Sequence, residues 1–314
     1  MHAGKRLKKA LAGKGLVVTP GVYDMISARI ADGLGFSALY MTGFGVSATL
    51  GLPDAGLASY TEMVERVQQI CENTTTPLIC DADTGFGGLL NVERTVRGYE
   101  RAGAAAIQIE DQVFPKRCGH TPGRRVVPTA EMVRKLEVAA ASRASADFLL
   151  IARTDARTQY GLDEALKRAE AYAKAGADIL FIESPESEAE MARIGRHFDL
   201  PLLANMADGG RTPILPKQRL EELGYKIAIF PTTGLLAATK ALQRVYGVLR
   251  TRARATSLQT SFPPSQSCAR WSASSTCGNS RSAGRSNCRR ARTCARPRAH
   301  GRGGLGHAAR SLTP

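Results

Sequence analysis

Residues 102–111, AGAAAIQIED, and residues 175–184, AGADILFIES, share one pattern: a glycine, a short apolar run, then a carboxylate. In each, the glycine closes an amphipathic segment, as glycines do just past helix ends. The apolar run is continuous rather than alternating, as in parallel strands covered on both faces. Each stretch therefore reads as helix, strand, and an ionisable group at the strand's C-terminal end. Outward from this pair the unit recurs. The spacing predicts strands at Leu16–Thr19, Ala38–Thr42, Leu78–Asp81, Ala106–Glu110, Phe148–Arg153, Ile179–Glu183, Leu202–Asn205 and Ile227–Phe230. Helical patterns fall between them at Asp24–Gly33, Tyr60–Cys71, Val92–Ala102, Thr129–Ala141, Asp163–Ala175 and Glu188–Phe198. Thr129 and Asp163 are expected N-caps, and Gly103 and Gly176 expected helix ends. Eight strand–helix units in about 230 residues predict an α/β fold, a (β/α)8 TIM-type barrel. A doubly wound open sheet is the alternative.

Charge divides the chain in two. The 314 residues hold 43 Lys+Arg and 28 Asp+Glu, a net of +15, which invites a nucleic-acid partner. Residues 251–314, however, contain 12 Arg and no Lys, Asp or Glu, so residues 1–250 carry 31 basic and 28 acidic groups, a net of only +3. The expected organisation is a catalytic barrel over 1–250 and an Arg/Ser-rich low-complexity tail over 251–314. The tail has 11 Ser and no Val, Ile, Met or Tyr, too little apolar surface to offset ordering entropy, so disorder is expected there. Its composition is also what a GC-rich gene yields out of frame, and a frameshift between Val248 and Ser261 is the expectation. Its four Cys (Cys268, Cys277, Cys288, Cys294) lack zinc-finger spacing, and nucleic acid is not an expected partner.

Three scattered thiols in the body, Cys71, Cys80 and Cys118, make no disulfide framework, which fits a cytoplasmic protein. Cys71 and Cys80 lie within apolar patterns and read as small core residues. No apolar run is long enough to span a membrane. Near the N-terminus, Leu7, Ala10 and Leu11 at helical spacing predict a short surface helix.

The polar residues at the strand ends carry the functional reading. Asp81 and Asp83, Glu110 and Asp111, Arg153 and Asp155, Glu183, and Asn205 fall at or just past the C-terminal ends of successive strands. In a barrel those ends converge on one mouth, where active sites are built. Asp81, Asp83, Glu110 and Glu183, with no His among them, suit a hard cation, Mg2+ or Mn2+, rather than zinc. The same residues could instead be carboxylates salt-bridged to Arg153 and Lys116. Arg153 offers a planar fork to a substrate carboxylate or phosphate. After the fourth strand comes FPKRCGHTPGRR, residues 114–125, with two Gly, two Pro and one thiol among five basic side chains. Cys118 between Lys116, Arg117 and His120 is expected to have a lowered pKa. The alternative is a Cys in a phosphate-binding or merely solvated basic loop.

Together these motifs resemble the isocitrate lyase/phosphoenolpyruvate mutase superfamily over about Gly13 to Arg250. The signature is Lys116-Arg117-Cys118-Gly119-His120, similar to the gating-loop pentad of the carbon–carbon lyase branch, whose members include 2-methylisocitrate and dimethylmalate lyases. Asp81-Ala82-Asp83-Thr84-Gly85-Phe86-Gly87 resembles the metal-binding strand end, and Ala204-Asn205-Met206 to Gly209-Gly210-Arg211-Thr212-Pro213 resembles dimethylmalate lyase-like members. The resemblance implies Asp81 as direct Mg2+ ligand, with Asp54, Asp83 and Glu110 acting through water. It implies substrate contacts from Tyr40, Thr42, Gly43, Phe44, Gly119, Arg153, Glu183 and Asn205, and a homo-oligomer, commonly a tetramer, built on C-terminal helices. Thr232–Leu249 is the apolar segment here that could pair. Thr42 and Phe44 depart from the Ser-Gly-small pattern of many members.

The chemistry so implied is cleavage of a small 2-hydroxy di- or tricarboxylate, of 2-alkylmalate or methylisocitrate type, to a 2-oxo acid such as pyruvate. Mg2+ and Arg153 would stabilise the developing oxyanion. Cys118 would protonate the carbanion equivalent, with His120 and Lys116 tuning the thiol, and Tyr40 would be the base. Gly and Pro flanking the loop fit a lid that excludes water. Oxaloacetate decarboxylation and carboxyphosphonoenolpyruvate phosphonomutation use related intermediates and are the competing activities.

Overall fold

The computed structural model describes residues 3–119, 121 and 123–252. In chain order the first half runs α1 (Ala3–Ala12), β1 (Val17–Val22), α2 (Met25–Gly33), β2 (Leu39–Met41), α3 (Gly43–Thr49), α4 (Tyr60–Asn73), β3 (Leu78–Asp81), α5 (Leu89–Arg101) and β4 (Ala106–Glu110). The second half runs α6 (Thr129–Ser142), β5 (Leu149–Thr154), α7 (Ala156–Tyr160), α8 (Leu162–Lys174), β6 (Ile179–Ile182), α9 (Glu188–His197), β7 (Leu203–Asn205), α10 (Lys217–Glu222), β8 (Ile227–Phe230) and α11 (Thr233–Arg252).

All eight strands are parallel, in the order β6-β5-β4-β3-β2-β1-β8-β7. The two outer strands meet through a parallel bridge between Leu180 and Leu202, with Leu180 N–H donating to Pro201 O at 3.0 Å. That contact brings the sheet round into a nearly closed barrel and excludes the open-sheet alternative. Alternate strand residues separate into two apolar layers. Val17, Ile79, Ile151, Phe181 and Ile229 point into the barrel, whereas Leu78, Ile107, Leu150 and Leu180 pack outward against the helices. This two-sided burial is why the strand runs are continuously apolar.

The helix ends follow local chemistry. Asp24 caps α2 by accepting from Ser27 N at 2.8 Å. Gly103 (φ +98°) and Gly176 (φ +104°) lie one residue past the C-caps of α5 and α8, Ala102 and Ala175, as expected. Thr129 and Asp163 are not N-caps: both lie inside the first turn, behind Pro128 and Gly161. Proline pre-sets the dihedral needed to enter α6, and Asp163 faces the positive end of α8 instead. β1 continues past Thr19 through Gly21, where a Cβ would sit 2.4 Å from Pro231 O.

The N-terminal helix also differs from expectation. α1 is not a surface decoration, because Leu7 is fully buried within the inner barrel layer, alongside Val17 and Leu149. It therefore plugs the N-terminal end of the barrel. Gly4 permits the approach, since a Cβ there would lie 2.0 Å from Asp147 O. Cys80 is buried in the outer core, and Cys71 is half-buried beside it. Among the described residues no helix is long and apolar enough to cross a membrane. α11 extends unbroken through the expected boundary at residue 250 to Arg252. The rest of the Arg/Ser-rich tail, with its expected disorder and frameshift, lies outside the described residues.

Candidate active site

The C-terminal strand ends surround a cavity of about 200 Å3. Tyr40, Asp81, Glu110, Arg153, Glu183 and Asn205, from six strands or their immediate ends, form its floor. Lys116, Cys118 and Gly119 come over it from the β4–α6 loop, and Asp54 from the α3–α4 loop. Phe44, Ile229, Pro231 and Leu236 add an apolar wall. The six floor residues, 22 residues apart in sequence at the closest, share one space because parallel strands bring their ends together.

Asp81 ends β3 and is held by main chain. Gly43 N–H donates to its Oδ2 at 3.3 Å, and Asp83 N–H to its Oδ1 at 3.1 Å. A side chain at Gly43 would collide here, its Cβ 2.7 Å from Asp81 Oδ2. Asp83 turns back with φ +47° and pairs with Lys116 at 2.7 Å. Burial raises the Asp83 pKa to about 6, against the pull of Lys116 and with the help of Asp81 and Asp54. Burial likewise drives Glu110 well above the usual carboxylate range, against the pull of Arg153.

The donor set fits a hard divalent cation. Glu110 Oε1 is buried and accepts no hydrogen bond, and all available donors are oxygens. The carboxylates are nonetheless spread: among the described residues no three acidic, His or Cys side chains converge into a closed cage. A cation held here would therefore need water and substrate oxygens beside the carboxylates to complete its shell. Asp54 is committed to a short ion pair with Lys116.

The two cavity cations are already surrounded. Lys116 is buried between Asp54 and Asp83. Burial alone would lower its pKa, but Asp83, Glu110, Asp54 and Asp81 outweigh it and hold the ammonium charged. Its charge is met directly by the carboxylates of Asp54 and Asp83. Arg153 is gripped by Asp155 through two bonds of 2.9 Å, with Glu183 at 3.2 Å and Glu110 at 3.4 Å. Its guanidinium also lies 5.0 Å over the Phe181 ring. The salt-bridge reading of these residues is thus correct as geometry, yet Arg153 still faces the cavity.

The loop is seated directly on this guanidinium. A Cβ on Gly119 would lie 2.5 Å from Arg153 Nη2, so only glycine fits between them. Behind it, Arg124 anchors the loop's far end by a short pair with Asp155 and a 2.6 Å bond to Thr158 Oγ1. Gln112 holds the near end, donating to Arg117 O at 2.9 Å and accepting from Arg117 N–H at 3.0 Å. His120 lies outside the described residues.

The remaining expected residues are placed as follows. Thr42 and Gly43 do not line the cavity: the Thr42 hydroxyl accepts from Gly45 N–H at the start of α3, and Gly43 spends its N–H on Asp81. Tyr40 does line it, donating to Gln108 Oε1 at 3.2 Å. Burial first, then the Asp81 charge, pushes its pKa well above 10, away from a base and toward a hydrogen-bond donor. Asp111 sits fully buried below the mouth, bound by Thr154, Tyr172 and Arg168. Sequence reasoning missed Gln108, Arg124, Asp208 and Leu236. Only Asp208 carried a signal, its position just past β7.

The sequence pattern of the family described as "Phosphoenolpyruvate phosphomutase" matches residues 7–249. The chain is 52% identical over 251 residues to 2,3-dimethylmalate lyase of Eubacterium barkeri, covering 80% of this chain and 87% of that one. It is 41% identical over 245 residues to 2-methylisocitrate lyase of Bacillus subtilis, covering 78% and 81%. A crystal structure of a 2,3-dimethylmalate lyase superposes with a TM-score of 0.82 at 37% identity, covering 86% of this chain and 91% of that one. With a family pattern spanning most of the chain and relatives this similar, the protein belongs to the PEP mutase/isocitrate lyase superfamily.

Proposed function

We propose that the protein is a divalent-metal-dependent carbon–carbon lyase. Its substrate is a small 2-hydroxy di- or tricarboxylate of 2-alkylmalate or methylisocitrate type, cleaved to a 2-oxo acid such as pyruvate. The observation that carries this reading is the Cys118 thiol placed on the same cavity as Asp81, Glu110 and Arg153. A proton donor, a carboxylate-rich cation seat and a guanidinium there face one small space.

Mg2+ or Mn2+ resting on Asp81, with Asp83, Glu110 and Asp54 around it, would supply Lewis acidity to the substrate's oxygens. Arg153, fixed by three carboxylates, presents positive charge that needs no reorganisation when negative charge develops on the substrate. Tyr40 would be the base only as its phenolate, a form that a cation seated beside Asp81 and Glu110 would favour, and that phenolate oxygen would take the proton of the substrate hydroxyl. The hydroxyl oxygen's electrons form the new carbonyl as the adjacent carbon–carbon bond breaks. The pair from that bond passes into the other carboxylate-bearing fragment, whose carbon takes the proton of Cys118. One proton leaves oxygen and one arrives on carbon, so the two fragments balance the substrate. Gly119 and Cys118 close over the reacting atoms and exclude water.

The acidic cavity suits small anions held through a cation, and the chain is proposed to work in the cytoplasm as a homo-oligomer. Incubation with Mg2+ and separate 2-alkylmalates, 2-methylisocitrate and oxaloacetate, with pyruvate followed by a coupled dehydrogenase, tests the activity. Pyruvate from one of the 2-hydroxy acids is expected. Pyruvate from oxaloacetate alone would replace the lyase with a decarboxylase.

A further inference from the structure

The cavity is chemically two-sided. Its charged floor contains the only cations among the described lining residues, Lys116 and Arg153, against five carboxylates, Asp54, Asp81, Glu110, Glu183 and Asp208. Both cations are already engaged: Lys116 by Asp54 and Asp83, and Arg153 by Glu110, Asp155 and Glu183. A second group of lining residues is mainly apolar: Phe44 at the start of α3, Ile229 and Pro231 around the end of β8, and Leu236 in the first turn of α11, with Thr232 the one hydroxyl among them. Phe44 and Leu236 are 36% and 48% exposed, a wasteful placement for large apolar side chains unless something covers them.

A substrate with two carboxylates can direct both toward Arg153 and the cation seat beside Asp81. A third carboxylate would have to face the Phe44–Leu236 wall, where no cation among the described lining residues meets it and where it adds to a surplus of negative charge. Removing an anion from water without a partner is strongly unfavourable. An alkyl group at the same place gains by burying apolar surface. We infer that Phe44 and Leu236 are specificity-determining residues, and that the substrate is a malate bearing an alkyl substituent, with tricarboxylates rejected. This rests on the lyase reading above and narrows it.

The test compares kcat/KM for 2,3-dimethylmalate, unsubstituted malate and 2-methylisocitrate, at fixed Mg2+, in the wild type and in Leu236→Ala, Phe44→Ala and Leu236→Arg variants. The wild type is expected to favour 2,3-dimethylmalate at least tenfold over 2-methylisocitrate. One methylene in an apolar pocket discriminates by roughly 10- to 200-fold. Leu236→Ala or Phe44→Ala should therefore lower the dimethylmalate-to-malate ratio by about tenfold. Leu236→Arg places a cation on the wall and should raise the methylisocitrate-to-dimethylmalate ratio at least tenfold. Leu236 is half-exposed, so thermal unfolding of the variants should stay close to wild type; a variant that unfolds is replaced by Leu236→Lys. Wild-type preference for 2-methylisocitrate, or ratios unchanged in all the variants, would overturn the inference and leave the lyase intact. Turnover of none of the 2-hydroxy acids would overturn the lyase reading itself.

Discussion

Cys118 and Arg153 show how a residue's chemistry depends on what surrounds it. The guanidinium could have been a loose clamp for any anion, but two bonds of 2.9 Å to Asp155 fix its plane, and Gly119 packs so close that a Cβ there would lie 2.5 Å from Nη2. With the electrophilic groups so rigid, the step most dependent on one side chain is proton delivery from the Cys118 thiol. Cys118→Ser keeps the size and hydrogen-bonding but replaces the thiol by a far weaker acid. We expect kcat to fall by about 10²- to 10⁴-fold, the range for losing a general acid, with KM changed much less. Steady-state kinetics on the preferred 2-hydroxy acid measures this, and full turnover by the serine variant would remove Cys118 from the mechanism. At this scale the strand-end carboxylates are legible in the sequence because each follows an apolar run directly. The pairings that the loops make are not. Arg124 lies 31 residues from Asp155, and Asp54 lies 62 from Lys116. Only the closed barrel brings such pairs into contact.

Among the elements, the strand–helix alternation is legible because inward and outward burial makes every strand apolar and turns fall at glycines. What escapes is the role of elements outside the repeat. α1 carries the pattern of a surface helix, since Lys5, Arg6, Lys8 and Lys9 dominate it, yet Leu7 is fully buried in the barrel's inner layer. Leu7→Ala should destabilise the fold by roughly 2–5 kcal/mol, the cost of a core leucine cavity. Denaturant unfolding would show it as a lower midpoint at unchanged slope, and a shift under 1 kcal/mol would return α1 to the surface. A second device joins α2 to the turn before β3. Asp32 accepts from the backbone N–H and hydroxyl groups of Thr75 and Thr76 at 2.7–3.2 Å. Burial alone would raise its pKa, but these four bonds outweigh burial and hold it below the usual value. A carboxyl with a depressed folded pKa stabilises the fold above its unfolded value, about 3.9, and loses that contribution as pH falls through the folded one. The difference in thermal midpoint between wild type and Asp32→Asn should thus be present at pH 7 and shrink below about pH 4. An equal difference at pH 7 and pH 3 would exclude charge as the cause.

For the whole molecule, the net charge of +15 separates from the catalytic unit. All the cavity residues lie between Tyr40 and Leu236, and the first 250 residues carry only +3. A chain ending at Arg252 should keep the wild-type kcat/KM, and any salt-sensitive retention of the full chain on DNA should disappear with the Arg-rich tail, since retention depends on phosphate-neutralising cations. Retention that survives the truncation would place a nucleic-acid surface on the barrel. The same truncated chain isolates the question of assembly. α11 runs 20 residues, and beyond its first turns Leu242, Tyr246 and Leu249 are 49%, 62% and 40% exposed. Positions 242, 246 and 249 fall at i, i+4 and i+7, one stripe of the helix. Lys240, Arg244 and Arg250 lie off that stripe, so the helix is amphipathic with its apolar side in water. Pairing with α11 of a second copy would bury the stripe without touching the cavity floor. Sedimentation velocity should accordingly find residues 1–252 as a homo-oligomer at micromolar concentration. The Leu242→Glu/Tyr246→Glu double variant should shift toward monomer, because charge on a shared apolar stripe is unpaired in the associated state. A wild-type chain that sediments as a monomer across this range would show that the stripe alone does not drive assembly.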